Sequence, residues 1–166
     1  MERVGSIKVG DHAPDIELPD ADMTIVRLSD CLAGGDASTT SSAVVLYFYV
    51  RDDTPGCTAE AIEFSDLEVD FARLGTTILG VSRDDCISHG AFRDKHGISV
   101  RLLADKEGIA CRAYDVLVNR EVDGVMREAI SRSTFVIDKQ GIVRHAMYGV
   151  TARGHAEEVL ELVREL

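Results

Sequence analysis

The run Ala43 to Val50 is apolar at every position, the pattern of a central strand covered on both faces rather than on one. Beyond it, Ala61, Phe64, Leu67, Phe71 and Leu74 recur at intervals of three and four, which predicts one amphipathic helix ending at Gly75. Thr76 to Val81 reads as the next strand. Ser82-Arg83-Asp84-Asp85 then opens a helix that runs to about His96, with Gly97 beyond it. Arg101 to Ala104 follows as a short strand and Glu107 to Tyr114 as a short helix. Ser133 to Asp138 and Ile142 to Tyr148 predict two strands flanking a Lys139-Gln140-Gly141 turn, and a closing helix covers about Ala152 to Leu166. Near the start, Asp15 to Leu18 and Thr24 to Leu28 predict a hairpin around Asp20-Ala21-Asp22. Gly34 to Ser42 is a loop by composition.

The order strand, helix, strand, helix, then a strand pair and a helix predicts an α/β fold. Its first half requires parallel crossover connections and its second half adds antiparallel strands at one edge. The expected result is three layers, a mixed sheet between helices, with an N-terminal β-hairpin. No repeat or linker divides the chain, so residues 1–166 are expected to form one domain.

Composition narrows the partners. A hydrophobic content of 45% with 28% charged residues is ordinary for a globular protein, and a net charge of −11 disfavours nucleic acid or an anionic membrane. The first residues lack an apolar signal core, and no run approaches a membrane span, so the cytoplasm is the default compartment. The four cysteines, Cys31, Cys57, Cys86 and Cys111, share no C-x-x-C spacing and read as free thiols.

One of those thiols stands out. The apolar strand runs into Arg51-Asp52-Asp53-Thr54-Pro55-Gly56 and delivers Cys57 to the start of a helix. Helix N-termini favour anions, and the thiolate is the nucleophilic form of cysteine. A junction at the carboxyl end of a central strand is also where open α/β sheets place their sites. Cys57 is therefore the candidate nucleophile. Cys86 and His89 have a spacing that can chelate, but no second pair accompanies them, so no metal is expected. Neither a G-x-G-x-x-G after a strand nor a phosphate loop occurs, so no nucleotide cofactor is expected either.

Tyr47 to Glu60, as Tyr-Phe-Tyr-x-x-Asp-Asp-Thr-Pro-Gly-Cys-Thr-x-Glu, resembles the active-site segment of the peroxiredoxins, nearest to the peroxiredoxin Q or bacterioferritin comigratory protein subgroup. The similarity continues in Leu79-Gly80-Val81-Ser82, in Asp115-Val116 and in Arg132 to Asp138. It implies a thioredoxin-like fold and a thiol peroxidase acting on hydrogen peroxide and organic hydroperoxides. Cys57 would be the peroxidatic cysteine and become a sulfenic acid. Thr54 would hydrogen-bond thiolate and peroxide, Arg132 would stabilise charge on sulfur and oxygen, and Glu60 would hold that arginine. Read without the resemblance, Thr54 also suits a helix cap, Arg132 a solvated strand residue and Glu60 an ordinary first-turn acid.

Two departures from the family pattern carry expectations. Val50 stands where the family has proline, which keeps an apolar wall but restores a backbone N–H. Ile62 and Arg93 occupy the two usual places of the resolving cysteine. Cys86, two helical turns before Arg93 and on much the same face, could resolve the sulfenic acid if local unwinding brings it to Cys57, and it equally suits a partly buried small residue at a helix start. Cys57 is then recycled either by an external thiol directly or through a disulfide with Cys86 that thioredoxin or glutaredoxin reduces. The alternative class is a redox sensor or binding module on a peroxidase scaffold with little turnover. The expected assembly is a monomer or weak homodimer.

Overall fold

The structure, a computed structural model, describes residues 6–32 and 43–166, so the loop read at Gly34 to Ser42 lies outside the described residues. A five-stranded sheet has the order β5-β4-β3-β8-β9. Its members are β3 (Ala43–Phe48), β4 (Thr76–Ser82), β5 (Arg101–Ala104), β8 (Ser133–Ile137) and β9 (Val143–Tyr148). β3, β4 and β5 run parallel, while β8 adds antiparallel to β3 and β9 antiparallel to β8. The mixed sheet is the one expected, and β3 lies at its centre. The N-terminal hairpin is also present, as β1 (Glu17–Pro19) with β2 (Ile25–Arg27).

Successive side chains of β3 point to opposite faces, and each face is buried under its own cluster. Val44, Leu46 and Phe48 pack with the N-terminal hairpin, Tyr114 and the short helix α5 (Ile109–Ala113). Val45, Tyr47 and Tyr49 pack beneath α2 (Pro55–Asp66), α3 (Glu68–Arg73), α4 (Cys86–His96) and α6 (His155–Arg164). Burial on both faces is the physical reason β3 shows no polar alternation. Among the described residues, no helix is long and apolar enough to cross a membrane.

Three readings need correction. The helix expected to run unbroken to Gly75 is divided at Leu67 into α2 and α3. The Leu67 carbonyl still accepts from the Phe71 amide at 3.0 Å, so the apolar face continues and the periodicity does not register the break. A four-residue helix α1 (Leu28–Cys31) follows β2 where only a strand end was expected. A second hairpin, β6 (Leu117–Val122) with β7 (Val125–Ile130), was not anticipated at all. It is exposed over most of its length, so neither strand needs a buried stripe. Its turn was nonetheless written in the sequence: Asp123 and Gly124 both have positive φ (54° and 78°), the two-residue geometry that Asp-Gly favours.

Candidate active site

Strand β3 ends at Phe48, and residues 49–54 carry the chain to α2. Thr54 is the N-cap, in extended conformation, and Pro55 opens the helix, where its missing N–H costs nothing. The Thr54 carbonyl accepts from the Thr58 amide at 2.8 Å, and Cys57 is the third residue of the helix. Its sulfur is almost fully buried beneath the sheet's helical face, and it is not disulfide-bonded.

Arg132, 75 residues further on, reaches this sulfur from the segment before β8. Because β8 pairs antiparallel with β3, Ser133 lies beside Phe48, and the residue before it arrives at the same sheet end as Cys57. Arg132 Nη2 donates to Cys57 Sγ at 3.3 Å, and Nη1 donates to Glu60 Oε1 at 2.6 Å. Glu60 sits one turn after Cys57 and is fully buried. Burial pushes its carboxyl up to about 7, against the opposing pull of Arg132. The Arg132 charge is opposed by burial and held by Glu60 and Cys57, with the net effect that its pKa is raised. The helix start is also sterically matched to the guanidinium: a Cβ at Gly56 would lie 3.1 Å from Arg132 Nη2.

The remaining expected residues are placed as follows. The Thr54 hydroxyl donates to the Arg51 carbonyl at 2.8 Å and accepts no capping bond from the helix amides. A hydroxyl has one proton, so this bond leaves the oxygen to act as an acceptor. Val50 is partly exposed and borders a cavity of about 350 Å³ with Arg51, Arg83, Asp84 and residues 128–130 of β7. Cys86 is the first residue of α4, half-buried and free. Cys111 is fully buried and free, and burial raises its pKa. Cys31 is half-buried and free, with its pKa also raised by burial.

Sequence reasoning missed a polar cluster behind the site. The Asp52 carboxylate accepts from Tyr49 Oη (2.6 Å) and Ser88 Oγ (2.8 Å) and faces His89 Nδ1 at 2.7 Å. The Asp52 amide donates to Asp84 Oδ2 at 2.8 Å. Ligand atoms of Asp52, Asp84 and His89 lie within 4.8 Å of one another, but they are knit by these hydrogen bonds. His89 had been paired in the sequence with Cys86, its neighbour one turn back. The signal that would have found the cluster is the acidic pair Asp52-Asp53 placed just before the helix cap.

Comparison with known proteins agrees with this geometry. Residues 9–146 match the model of the AhpC/TSA family. The chain belongs to that family. Peroxiredoxin Bcp of Bacillus subtilis is 37% identical over 161 residues, covering 97% of this chain and 98% of the relative. Peroxiredoxin Bcp of Escherichia coli is 30% identical over 159 residues, covering 96% and 97%. Among solved structures, a cysteine-to-serine mutant of Xylella fastidiosa PrxQ superposes with a TM-score of 0.87 at 34% identity, covering 97% of this chain and 98% of that one. The bacterioferritin comigratory protein of Xanthomonas campestris, a protein with alkyl peroxide reduction activity, gives 0.84 at 32% identity over 96% and 97%. The thioredoxin-like arrangement of a peroxiredoxin thus holds across nearly the whole of this AhpC/TSA chain.

Proposed function

We propose that this peroxiredoxin is a thiol-dependent peroxidase in which Cys57 attacks the O–O bond of hydrogen peroxide or an organic hydroperoxide. The thiolate sulfur bonds the nearer oxygen, the O–O bond breaks, and the departing oxygen takes a proton to leave as water or alcohol. Cys57 becomes a sulfenic acid. The observation that carries this reading is the Arg132 hydrogen bond to the Cys57 sulfur inside the first turn of α2. A fixed cation at that point stabilises negative charge on sulfur and on the departing oxygen without reorganisation. Thr54, its own proton committed to Arg51, accepts the hydroperoxide O–H and orients it. Glu60 holds the guanidinium in place.

An external thiol of the thioredoxin or glutaredoxin type returns the sulfenic acid to the thiol. An internal route would use Cys86, and would require the first turn of α4 to unwind and the Asp85 cap on the Ser88 amide (2.8 Å) to break. We infer a single domain over residues 1–166 acting in the cytoplasm as a monomer or weak homodimer. The acidic charge and the near-complete overlap with relatives support that reading.

Peroxide consumption with a thioredoxin system tests the assignment. Cys57→Ser is expected to abolish it, while Cys31→Ser and Cys111→Ser keep it; turnover by Cys57→Ser would overturn the reading. Peptide mass mapping after one equivalent of peroxide separates sulfenate at Cys57 from a bridge to Cys86.

A further inference from the structure

The loop that delivers Thr54 and Cys57 is gripped by α4 at two consecutive acidic residues. Asp53 is held by Lys95 Nζ (2.7 Å) and His96 Nε2 (2.8 Å) from the last turn of that helix. It needs holding, because Asp53 has a φ of 60°, a left-handed conformation that a non-glycine residue rarely adopts. Asp52 is held by Ser88 and His89 near the start of the same helix.

His89 is fully buried, and both of its ring nitrogens face acceptors. Nδ1 lies 2.7 Å from the Asp52 carboxylate, and Nε2 lies 2.9 Å from the Leu103 carbonyl of β5. The Tyr49 hydroxyl, 3.3 Å from Nδ1, already donates its proton to Asp52. Each ring nitrogen therefore has an oxygen of a different element within hydrogen-bond distance. The ring becomes a rigid strut from the backbone of the central sheet to the carboxylate two residues before Thr54. The Asp52 amide is tied to the sheet as well, through Asp84 and the Ser82 hydroxyl (2.6 Å).

We propose that His89 is a positioning residue for peroxide reduction, acting through Asp52 to fix the loop that aims the Thr54 hydroxyl and the Cys57 sulfur at the substrate. The role rests on Cys57 being the reacting thiol. Only a group that spans two acceptors on opposite sides serves here. Glutamine reaches one of them with its amide but not both, and it lacks the planar ring that sets the separation.

Replacing His89 tests this. His89→Gln is expected to slow the second-order oxidation of Cys57 by hydrogen peroxide roughly 10- to 100-fold, the scale of a misaligned reacting pair. This should hold at temperatures where far-UV circular dichroism shows the variant folded, and the pH profile of the rate should keep its shape. Asp52→Asn and the double variant should show the same loss as the single, because both break one strut. A rate per folded molecule within about twofold of wild type overturns the role, as does a double variant whose losses multiply. Should His89→Gln not fold, Ser88→Ala and Lys95→Ala decide: slower oxidation with an unchanged unfolding midpoint supports the grip, and wild-type rates in both overturn it. An inert wild-type protein would instead remove the assignment of Cys57, which keeps the two failures distinct.

Discussion

The two faces of β3 carry one strand's alternate residues into different chemistry. On one side Val44, Leu46 and Phe48 meet Leu79, Val81, Leu103, Phe135 and Ile137, all apolar and all buried. On the other, Tyr47 and Tyr49 share their cluster with Cys57 and lie close to Glu60, Arg132 and the Asp52–His89 pair. Apolar burial on the first face desolvates no charged group among the residues named. The second face spends part of its burial on charged groups that are costly to desolvate and keep their place through mutual hydrogen bonds. Purely apolar burial and burial that includes charged groups are thus segregated by a strand's two-residue period.

Four substitutions break or sharpen that contrast, taken from the largest effect down. Arg132→Ala should lower the rate of Cys57 oxidation by about 10²- to 10³-fold, the scale of losing one fixed donor to developing charge, as read by competition kinetics with peroxide. Leu46→Ala, on the apolar face, should cost about 2–5 kcal/mol in chemical denaturation while leaving the rate per folded molecule unchanged. A Leu46→Ala variant with slowed chemistry would show that the faces are not independent.

Glu60→Gln probes the buried charge by pH. The Glu60 carboxyl has its pKa raised by burial to about 7, above the ordinary 4.5. The folded state then binds the proton more tightly than the unfolded state, so stability falls as pH rises from about 4.5 to about 7 and levels off beyond. The glutamine variant lacks this slope. Its unfolding midpoint relative to wild type should therefore improve across that interval and stay flat above it. Smallest of the four is Tyr47→Phe. The Tyr47 hydroxyl is buried without a hydrogen-bond partner among the described residues, so removing it should leave stability within about 1 kcal/mol of wild type or raise it.

How much of this the chain declared in advance differs between the same two faces. The sheet was legible because β3 is apolar throughout and both β3 and β4 are bounded by turn residues, and Cys57 was legible because a buried strand leads through a short acidic turn into a helix start. Arg132 was not legible from periodicity: its place beside the sulfur depends on β8 pairing with β3 across 75 residues of sequence, and only the family resemblance pointed to it. His89 occupies a helix position whose three-residue spacing suggests Cys86 as a partner, yet its ring turns toward the loop. Hairpin β6–β7 escaped notice because exposure removes the alternation that burial imposes, although Asp123-Gly124 marked its turn.

The antiparallel docking of β8 also has a consequence in time. A chain still emerging from the ribosome reaches Cys57 long before it reaches residue 132. Until the later strand adds to the sheet, the sulfur has no guanidinium beside it and Glu60 has no cation to hold. On the reading proposed above, oxidant encountered during synthesis meets a cysteine without that partner, and the full arrangement of Cys57, Arg132 and Glu60 exists only once the later strand is in place.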